Sequence, residues 1–383
     1  MPPDVRKRLI TALNAPNYTA FQRNVENPAS GTFQWFENED VFRSWVLDGE
    51  SSFLWIRGSP GQGKTVLSKF LLQRLQDRNA HQPKGYMNIY FFCYDQDGDL
   101  RTVNSILRSL IEQLLFGPCH FRKPLAVLEK DPAKIAESND TLWDTFKEMT
   151  TFSTLNTIYC VIDGLDECEK GSEGNARVKL LQWINTLLQT FPAVPDNGPA
   201  LKFLITSRPI TDISDELEKV PCFDLKAHTK DLEIFVEKKM ETLPRRFYQV
   251  QREKAAKLLL EGAGGTFLWV SIVVKKLAQL EFPNDVEIED TIKESPTDLD
   301  ALYSDIFDQI MKGPTIKQKL VTWVTYGQRP LTLAELENAL AIQEDSKSER
   351  STRRYKVHLT PETLTSVFGV VLECTDNVVY LIH

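Results

Sequence analysis

No apolar run in this chain is long enough to cross a membrane. The N-terminus, Met1-Pro2-Pro3-Asp4-Val5-Arg6-Lys7-Arg8, lacks the apolar core of a secretory signal. The six cysteines, Cys93, Cys119, Cys160, Cys168, Cys222 and Cys374, form no CxxC pair and no Cys/His zinc spacing. Several lie inside apolar strands, where free cysteine behaves as a small hydrophobe. That usage suits a reducing compartment, and the expected location is the cytoplasm. A surplus of basic residues is missing too: 45 Lys and Arg face 53 Asp and Glu, for a net charge of −8. Bulk attraction to a polyanion is therefore excluded as an organising principle. No period of the ankyrin, TPR or WD40 kind is present. What remains is 383 residues, enough for two or three domains with an ample core.

Against these absences stands one dense motif, Gly58-Ser59-Pro60-Gly61-Gln62-Gly63-Lys64-Thr65. It follows the apolar run Ser52-Phe53-Leu54-Trp55-Ile56 and opens a helical pattern that starts at Val66. Strand, glycine loop and helix in that order make a phosphate-binding loop. The glycines let backbone N–H groups turn inward around phosphates, and the helix N-terminus adds its positive dipole end. Lys64 supplies a point charge for β- and γ-phosphates, and Thr65 a hydroxyl for Mg²⁺. Gly58 to Thr65, with Val66 behind them, are the expected nucleotide-binding residues.

A second strand pattern, Thr157-Ile158-Tyr159-Cys160-Val161-Ile162, ends in Asp163-Gly164-Leu165-Asp166-Glu167. An unbroken apolar strand belongs to a sheet buried on both faces. A carboxylate at its C-terminal tip lies in the crevice where such sheets bind ligands. Asp163 is the expected partner of Mg²⁺ together with Thr65, through the ion's water shell. Asp166 and Glu167 are expected to polarise an attacking water. A third run, Leu201-Lys202-Phe203-Leu204-Ile205-Thr206-Ser207, brings Arg208 to the same edge, where it is placed to read the γ-phosphate.

Strands alternate with helices up to about residue 225, at Ser52–Gly58, Tyr86–Tyr94, Thr157–Asp163, Leu201–Ser207 and Cys222–Leu225. Helical patterns fall at Thr102–Phe116, Thr141–Thr151 and Val178–Phe191. Such alternation predicts a parallel sheet with helices on both faces. Residues 1–30, polar and carrying prolines, read as a lead-in or linker. Beyond residue 225 the apolar spacing turns helical, at Asp231–Leu243, Arg252–Gly262, Phe267–Leu280, Asp298–Met311, Ile316–Tyr326, Leu333–Ile342 and near Glu362–Val371. A charged stretch, Glu344–Arg350, reads as an exposed loop, and an apolar run, Val378–Ile382, closes the chain. Trp35 and Trp45 read as core, and Arg245-Arg246 and Arg353-Arg354 as solvated pairs.

The three motifs together resemble the NACHT family of STAND NTPases, in particular fungal NLR-like, heterokaryon-incompatibility-type members. Gly31-Thr32-Phe33-Gln34-Trp35 and Phe42-Arg43-Ser44-Trp45 are similar to the family's lead-in, and Asp163 to Glu167 to its variant of Walker B. Gly265-Thr266-Phe267-Leu268-Trp269-Val270 and Arg329-Pro330-Leu331-Thr332-Leu333-Ala334-Glu335-Leu336 resemble its helical and winged-helix segments.

The resemblance implies an α/β P-loop NTPase domain over residues 31–225, with a parallel sheet of ASCE-type order 5-1-4-3-2. It implies an all-α helical domain over 226–297 and a winged-helix domain over 298–383, incomplete at its end. It implies a switch that cycles between a closed ADP or GDP form and an open, self-associating ATP or GTP form, with Mg²⁺ and slow hydrolysis. His383 takes the place of a winged-helix histidine that holds the diphosphate in related switches. Relatives carry an effector domain and repeats; their absence makes this chain look like the switch core alone. Two other classes compete: a winged-helix DNA-binding regulator with an ATPase module, and a nucleotide-binding scaffold without turnover. The expected recognition segment, Leu359–Cys374, has no Lys or Arg, which counts against DNA. Intact Lys64, Thr65, Asp163 and Asp166 count against the scaffold.

Overall fold

The computed structural model describes residues 3–19, 25–80, 85–117, 120–122, 125, 132–170, 175–190, 199–342, 355–368, 371–375 and 377–381. The chain divides into two compact units, Met1–Lys226 and Ala227–His383.

The first unit is built on five parallel strands: β1 (Ser52–Arg57), β2 (Tyr86–Phe92), β3 (Thr157–Asp163), β4 (Ala200–Ser207) and β5 (Cys222–Asp224). Their order across the sheet is β2-β3-β4-β1-β5. Read from the other edge this is 5-1-4-3-2, the order the resemblance implies. The helices are α1 (Pro3–Leu13), α2 (Asp40–Leu47), α3 (Lys64–Ala80), α4 (Val103–Phe116), α5 (Pro132–Glu137), α6 (Asn139–Phe152), α7 (Ala176–Thr190) and α8 (Thr211–Glu216).

Strand periodicity explains how these layers hold together. Phe53 and Trp55 of β1 join one core with Ile158, Cys160 and Ile162 of β3. The alternate residues, Leu54 and Ile56 of β1 with Tyr159 and Val161 of β3, enter the core on the other face. The first core is completed by α4, α6 and α7, the second by α2 and α3. Burial on both faces is what the unbroken apolar strands require. Ile56 pairs with Thr206 and Arg57 with Ser207, so β1 and β4 end level with each other. Phe92 of β2 likewise lies opposite Asp163.

The N-terminal segment differs from the linker expected of its composition. Pro3–Leu13 forms a helix whose Leu9 and Leu13 are buried in the first core. Pro3 stands at the helix start, where a missing N–H and a fixed φ are favourable. Leu9 and Leu13 then share one face, four residues apart. Arg108 of α4 donates to the carbonyls of Leu13 and Asn14, both at 3.2 Å, which ties down the helix end.

The second unit starts with four helices: α9 (Thr229–Thr242), α10 (Gln249–Gly262), α11 (Phe267–Gln279) and α12 (Asp285–Lys293). There follow α13 (Leu299–Met311), α14 (Thr315–Tyr326), β6 (Leu331–Thr332), α15 (Leu333–Leu340), α16 (Pro361–Phe368), β7 (Leu372–Thr375) and β8 (Val378–Leu381). One apolar core runs through the unit from Leu232 to Val379. Trp269 sits at its heart, fully buried, and its indole N–H donates to the Pro296 carbonyl at 2.8 Å. Gly262 makes room for that ring: a Cβ there would lie 2.8 Å from the Trp269 side chain. The antiparallel order β6-β8-β7 closes the unit. The last helix, expected near Glu362–Val371, is α16, and β7 follows from Leu372. The stretch Glu344–Arg350, Arg353-Arg354, Cys119 and His383 lie outside the described residues.

Candidate functional site

Three turns meet at the C-terminal edge of the first unit's sheet. The first follows β1. Gly61 and Gly63 have φ of 74° and 84°, the left-handed region that glycine enters at no steric cost. Gly58 is required for space, since a Cβ there would lie 2.7 Å from Gln62 Oε1 and 3.0 Å from the Leu225 carbonyl oxygen. The loop closes on itself through the Ser59 N–H, which donates to Gln62 Oε1 at 2.8 Å. Helix α3 starts at Lys64, so its free N-terminal N–H groups face this loop. Lys64 Nζ donates to the carbonyls of Gly58 at 2.7 Å and Ser59 at 3.0 Å. Burial lowers the pKa of its ammonium, while the nearby Asp166 and Asp163 act in the opposite direction. Val66 is half-buried and packs on the second core.

The second turn follows β3. The Asp163 side chain is 1% exposed, and its Oδ1 accepts bonds from Ser68 Oγ and Thr206 Oγ1, both at 2.6 Å. Burial pushes its pKa up, and hydroxyl bonds from Ser68, Thr206 and Thr65 oppose that rise. Thr206 also accepts the Gly164 N–H at 2.9 Å, which locks the turn onto β4. Gly164, at φ 67°, then reverses the chain into a 3₁₀ turn, Leu165–Glu167. The Glu167 carboxyl is pushed up to about 8 by burial first, and then by the negative charges of Asp95, Asp166 and Asp163. At neutral pH it is mostly protonated.

The third turn follows β4. Asp166, its side chain 7% exposed, accepts the Arg208 backbone N–H at 2.9 Å and pairs with Arg208 Nε at 3.1 Å. The acidic turn is thus clamped to the β4 turn. A second clamp lies beneath it. Arg177, buried at the start of α7, donates to the carbonyls of Asp166 at 3.0 Å and Cys168 at 3.1 Å. The same guanidinium pairs with Asp212 at 2.7 Å.

Lys64, Thr65, Asp163, Asp166, Glu167 and Arg208 therefore come together at one sheet edge. Ser68, Thr206 and Arg177 belong to the same constellation and do not stand out in the sequence. Ser68 had one signal available: it lies one helical turn beyond Lys64, on the face that carries Thr65. Trp45 is core, its indole N–H donating to the Phe203 carbonyl at 2.9 Å, and Trp35 packs against Phe36 and Phe223.

The residues fit a phosphate group and a hard divalent cation. Gly61 and Gly63, at positive φ, give the loop the turn through which backbone N–H groups can face a phosphate. The oxygen groups at hand, the Thr65 hydroxyl and the Asp163 carboxylate, would suit Mg²⁺, which keeps waters and phosphate oxygens for its other positions.

A parallel sheet in this order, with a glycine loop after β1 and an acidic turn after β3, defines a P-loop NTPase-type nucleotide-binding module. Comparison with known proteins carries this further, and the resemblance seen in the motifs holds. Residues 31–208 match the family described as nephrocystin 3, N-terminal. The chain is 23% identical, over 367 residues and 92% of its length, to the vegetative incompatibility protein HET-E-1 of Podospora anserina. It spans 25% of that relative's length. Among solved structures, the Aeropyrum pernix ORC2 protein in its ADPNP–ADP complexes is 15% identical at a TM-score of 0.46, covering 93% of this chain and 91% of that one. Drosophila ORC bound to DNA is 12% identical at a TM-score of 0.41, covering 98% of this chain and 87% of that one. Among the described residues no helix is long and apolar enough to cross a membrane.

Proposed function

We propose that the chain is a nucleotide-dependent switch that binds and slowly hydrolyses ATP or GTP with Mg²⁺. The observation that supports it best is the joining of three turns through shared carboxylates: Asp163 held by Ser68 and Thr206, and Asp166 held by Arg208. In this reading the loop N–H groups and Lys64 bind the β- and γ-phosphates. Thr65 and Asp163 hold the cation, which when bound neutralises phosphate charge and orients the γ-group. Glu167, once deprotonated, accepts a proton from the attacking water. Asp166 is a positioning residue that keeps Arg208 beside the site. Arg208 is free to exchange that carboxylate for a γ-phosphate, and so to distinguish triphosphate from diphosphate.

The second unit supplies the moving part: a helical segment, 226–297, and a winged-helix segment, 298–383. Closed with diphosphate and open with triphosphate, the chain self-associates in the open form. The relative's name points to incompatibility-type signalling, and the cysteine usage to the cytoplasm. Calorimetric titration with ATP, GTP and their diphosphates, with and without Mg²⁺, tests the binding step. Identical affinity for inorganic phosphate and for triphosphate would remove the reading.

A further inference from the structure

The Glu167 carboxyl is loosely held and its backbone firmly held. The bond that reaches the carboxyl is long: the Asp95 N–H donates to Oε2 at 3.4 Å. The 3₁₀ segment Leu165–Glu167 is a single turn, whose own hydrogen bonding is poor. The peptide units on either side of Glu167 are fastened by one group. Arg177 Nη1 donates to the Asp166 carbonyl at 3.0 Å and to the Cys168 carbonyl at 3.1 Å. The other edge of the same guanidinium faces Asp212, where Nε at 3.0 Å and Nη2 at 2.7 Å both reach Oδ2. One rigid plane thus binds two carbonyls at one end and a carboxylate along its edge. A lysine ammonium, a point charge on a flexible stem, cannot span them.

Asp212 belongs to the β4 side of the site. It lies in α8, four residues beyond Arg208, and Asn175 donates to the same oxygen that the guanidinium binds. The contacts therefore close a ring. The Asp166 carboxylate meets Arg208, the chain leads from Arg208 to Asp212, and Asp212 returns through Arg177 to the carbonyls beside Glu167. The Arg177 side chain is 6% exposed, so it acts on the site through what it holds.

We propose that Arg177 is a positioning residue for hydrolysis. It sets where the Glu167 carboxyl stands by fixing the carbonyls on both sides of it, and Asp212 holds the guanidinium in the orientation that does so. A catalytic group misplaced by about 1 Å can lose about a hundredfold in rate. Phosphate binding is the task of a different turn, the glycine loop after β1, so affinity and rate separate here. The inference rests on the hydrolysis in the proposed function and on the part given there to Glu167.

The test is single-turnover hydrolysis of ATP and of GTP with Mg²⁺ by the whole chain. Beside it run calorimetric titration with slowly hydrolysed analogues of both and a melting curve. The variants are Arg177→Lys, Asp212→Asn, Glu167→Gln, and Glu167→Gln joined to each of the other two. Arg177→Lys keeps a positive charge beside Asp212 and loses the fork. It should hydrolyse about 10- to 100-fold more slowly, with triphosphate affinity kept. Asp212→Asn keeps the shape and removes the charge that orients the guanidinium, and it should lose rate by a smaller factor. Asp212 is 21% exposed, so this variant carries the test if Arg177→Lys fails to fold. In the Glu167→Gln background neither change should slow hydrolysis further, because no carboxylate is left to place. A role confined to holding the fold together would instead lower the melting temperature and cost the same factor in every background.

The positioning role is overturned if either variant, folded, hydrolyses like wild type, if affinity falls in place of rate, or if the loss is as large in the Glu167→Gln background as in wild type. Hydrolysis that Glu167→Gln leaves unchanged removes the part given to Glu167 and the role of Arg177 with it. Hydrolysis lost in Glu167→Gln and untouched by Arg177→Lys and Asp212→Asn keeps the part of Glu167 and removes only that of Arg177.

Discussion

The two units spend their surfaces differently. In the first, apolar side chains are drawn into two cores on either side of a sheet, and polar groups concentrate where the strands end. In the second, a single core is enclosed by helices, and ten of the twelve large hydrophobic residues left exposed among the described residues belong to it. A sheet buried on both faces leaves its C-terminal edge as the place where loops carry chemistry. The helical layer leaves several large apolar residues outside its core, Phe282 and Tyr326 among them. On the proposed function the first unit holds the ligand and the second displays the consequence. That contrast can be attacked from either side.

The largest expected effect is in the first unit. Glu167→Gln keeps the size and the neutral form that the carboxyl already holds near neutral pH, so folding and nucleotide binding should persist. Single-turnover hydrolysis should fall about 10²–10⁴-fold, the usual share of a positioned acid–base group. An unchanged rate would move the water-activating role to another group at this edge.

The next effect belongs to the second unit. Trp269→Ala removes a fully buried ring and orphans the Pro296 carbonyl. Loss of about 3–5 kcal/mol from that unit is expected, with nucleotide affinity retained by the first. Chemical denaturation read beside calorimetric titration separates the two. Equal loss of both would show that the units do not divide stability and binding as argued. Lys64→Ala is smaller: charge-assisted bonds of about 1.5–3 kcal/mol are lost with the phosphates, about ten- to hundredfold in triphosphate affinity. The melting temperature should hold, because the hydrogen bonds of Lys64 Nζ run to the Gly58 and Ser59 carbonyls of its own loop.

The contrast also explains what the sequence makes legible. Phosphate binding needs glycines, a lysine and a hydroxyl at fixed steps along the chain, so residues 58–65 declare themselves. Asp163 and Arg208 follow because each ends a recognisable strand. Ser68 and Thr206 stay hidden because their meaning lies in a partner 95 and 43 residues away. Arg177 is hidden for the same reason, since its guanidinium reads carbonyls of a turn that the fold alone brings to it. The helix at Pro3–Leu13 is obscured by the prolines in and around it in the sequence, which read as breakers until Leu9 and Leu13 are seen in the core. In the second unit, α12 offers only Ile288 and Ile292 as buried apolar residues, too short a stripe to stand out. Its start is set by a polar cap, Asn284 Oδ1 accepting the N–H groups of Val286 and Glu287, both at 3.0 Å.

The smallest expected effect sharpens the chemistry at the edge. If Glu167 is the group that accepts the water's proton, only its ionised form is active. With its pKa near 8, the hydrolysis rate should rise with pH through that value and then level off. Roughly a tenfold gain is expected between pH 7 and the plateau, since about a tenth of the carboxyl is ionised one unit below its pKa. The same group carries a stability signature of known sign. Its folded pKa lies above the unfolded value of 4.5, so its contribution is complete below that value and is lost as pH climbs through about 8. Rate should therefore rise over the window in which this contribution to stability declines. Glu167→Gln should flatten both profiles. A rate profile that stays flat from pH 6 to 9 in the wild type, with a normal melting curve, would mean that the buried carboxyl takes no part in proton transfer, and that Asp166, released from Arg208, must do so instead.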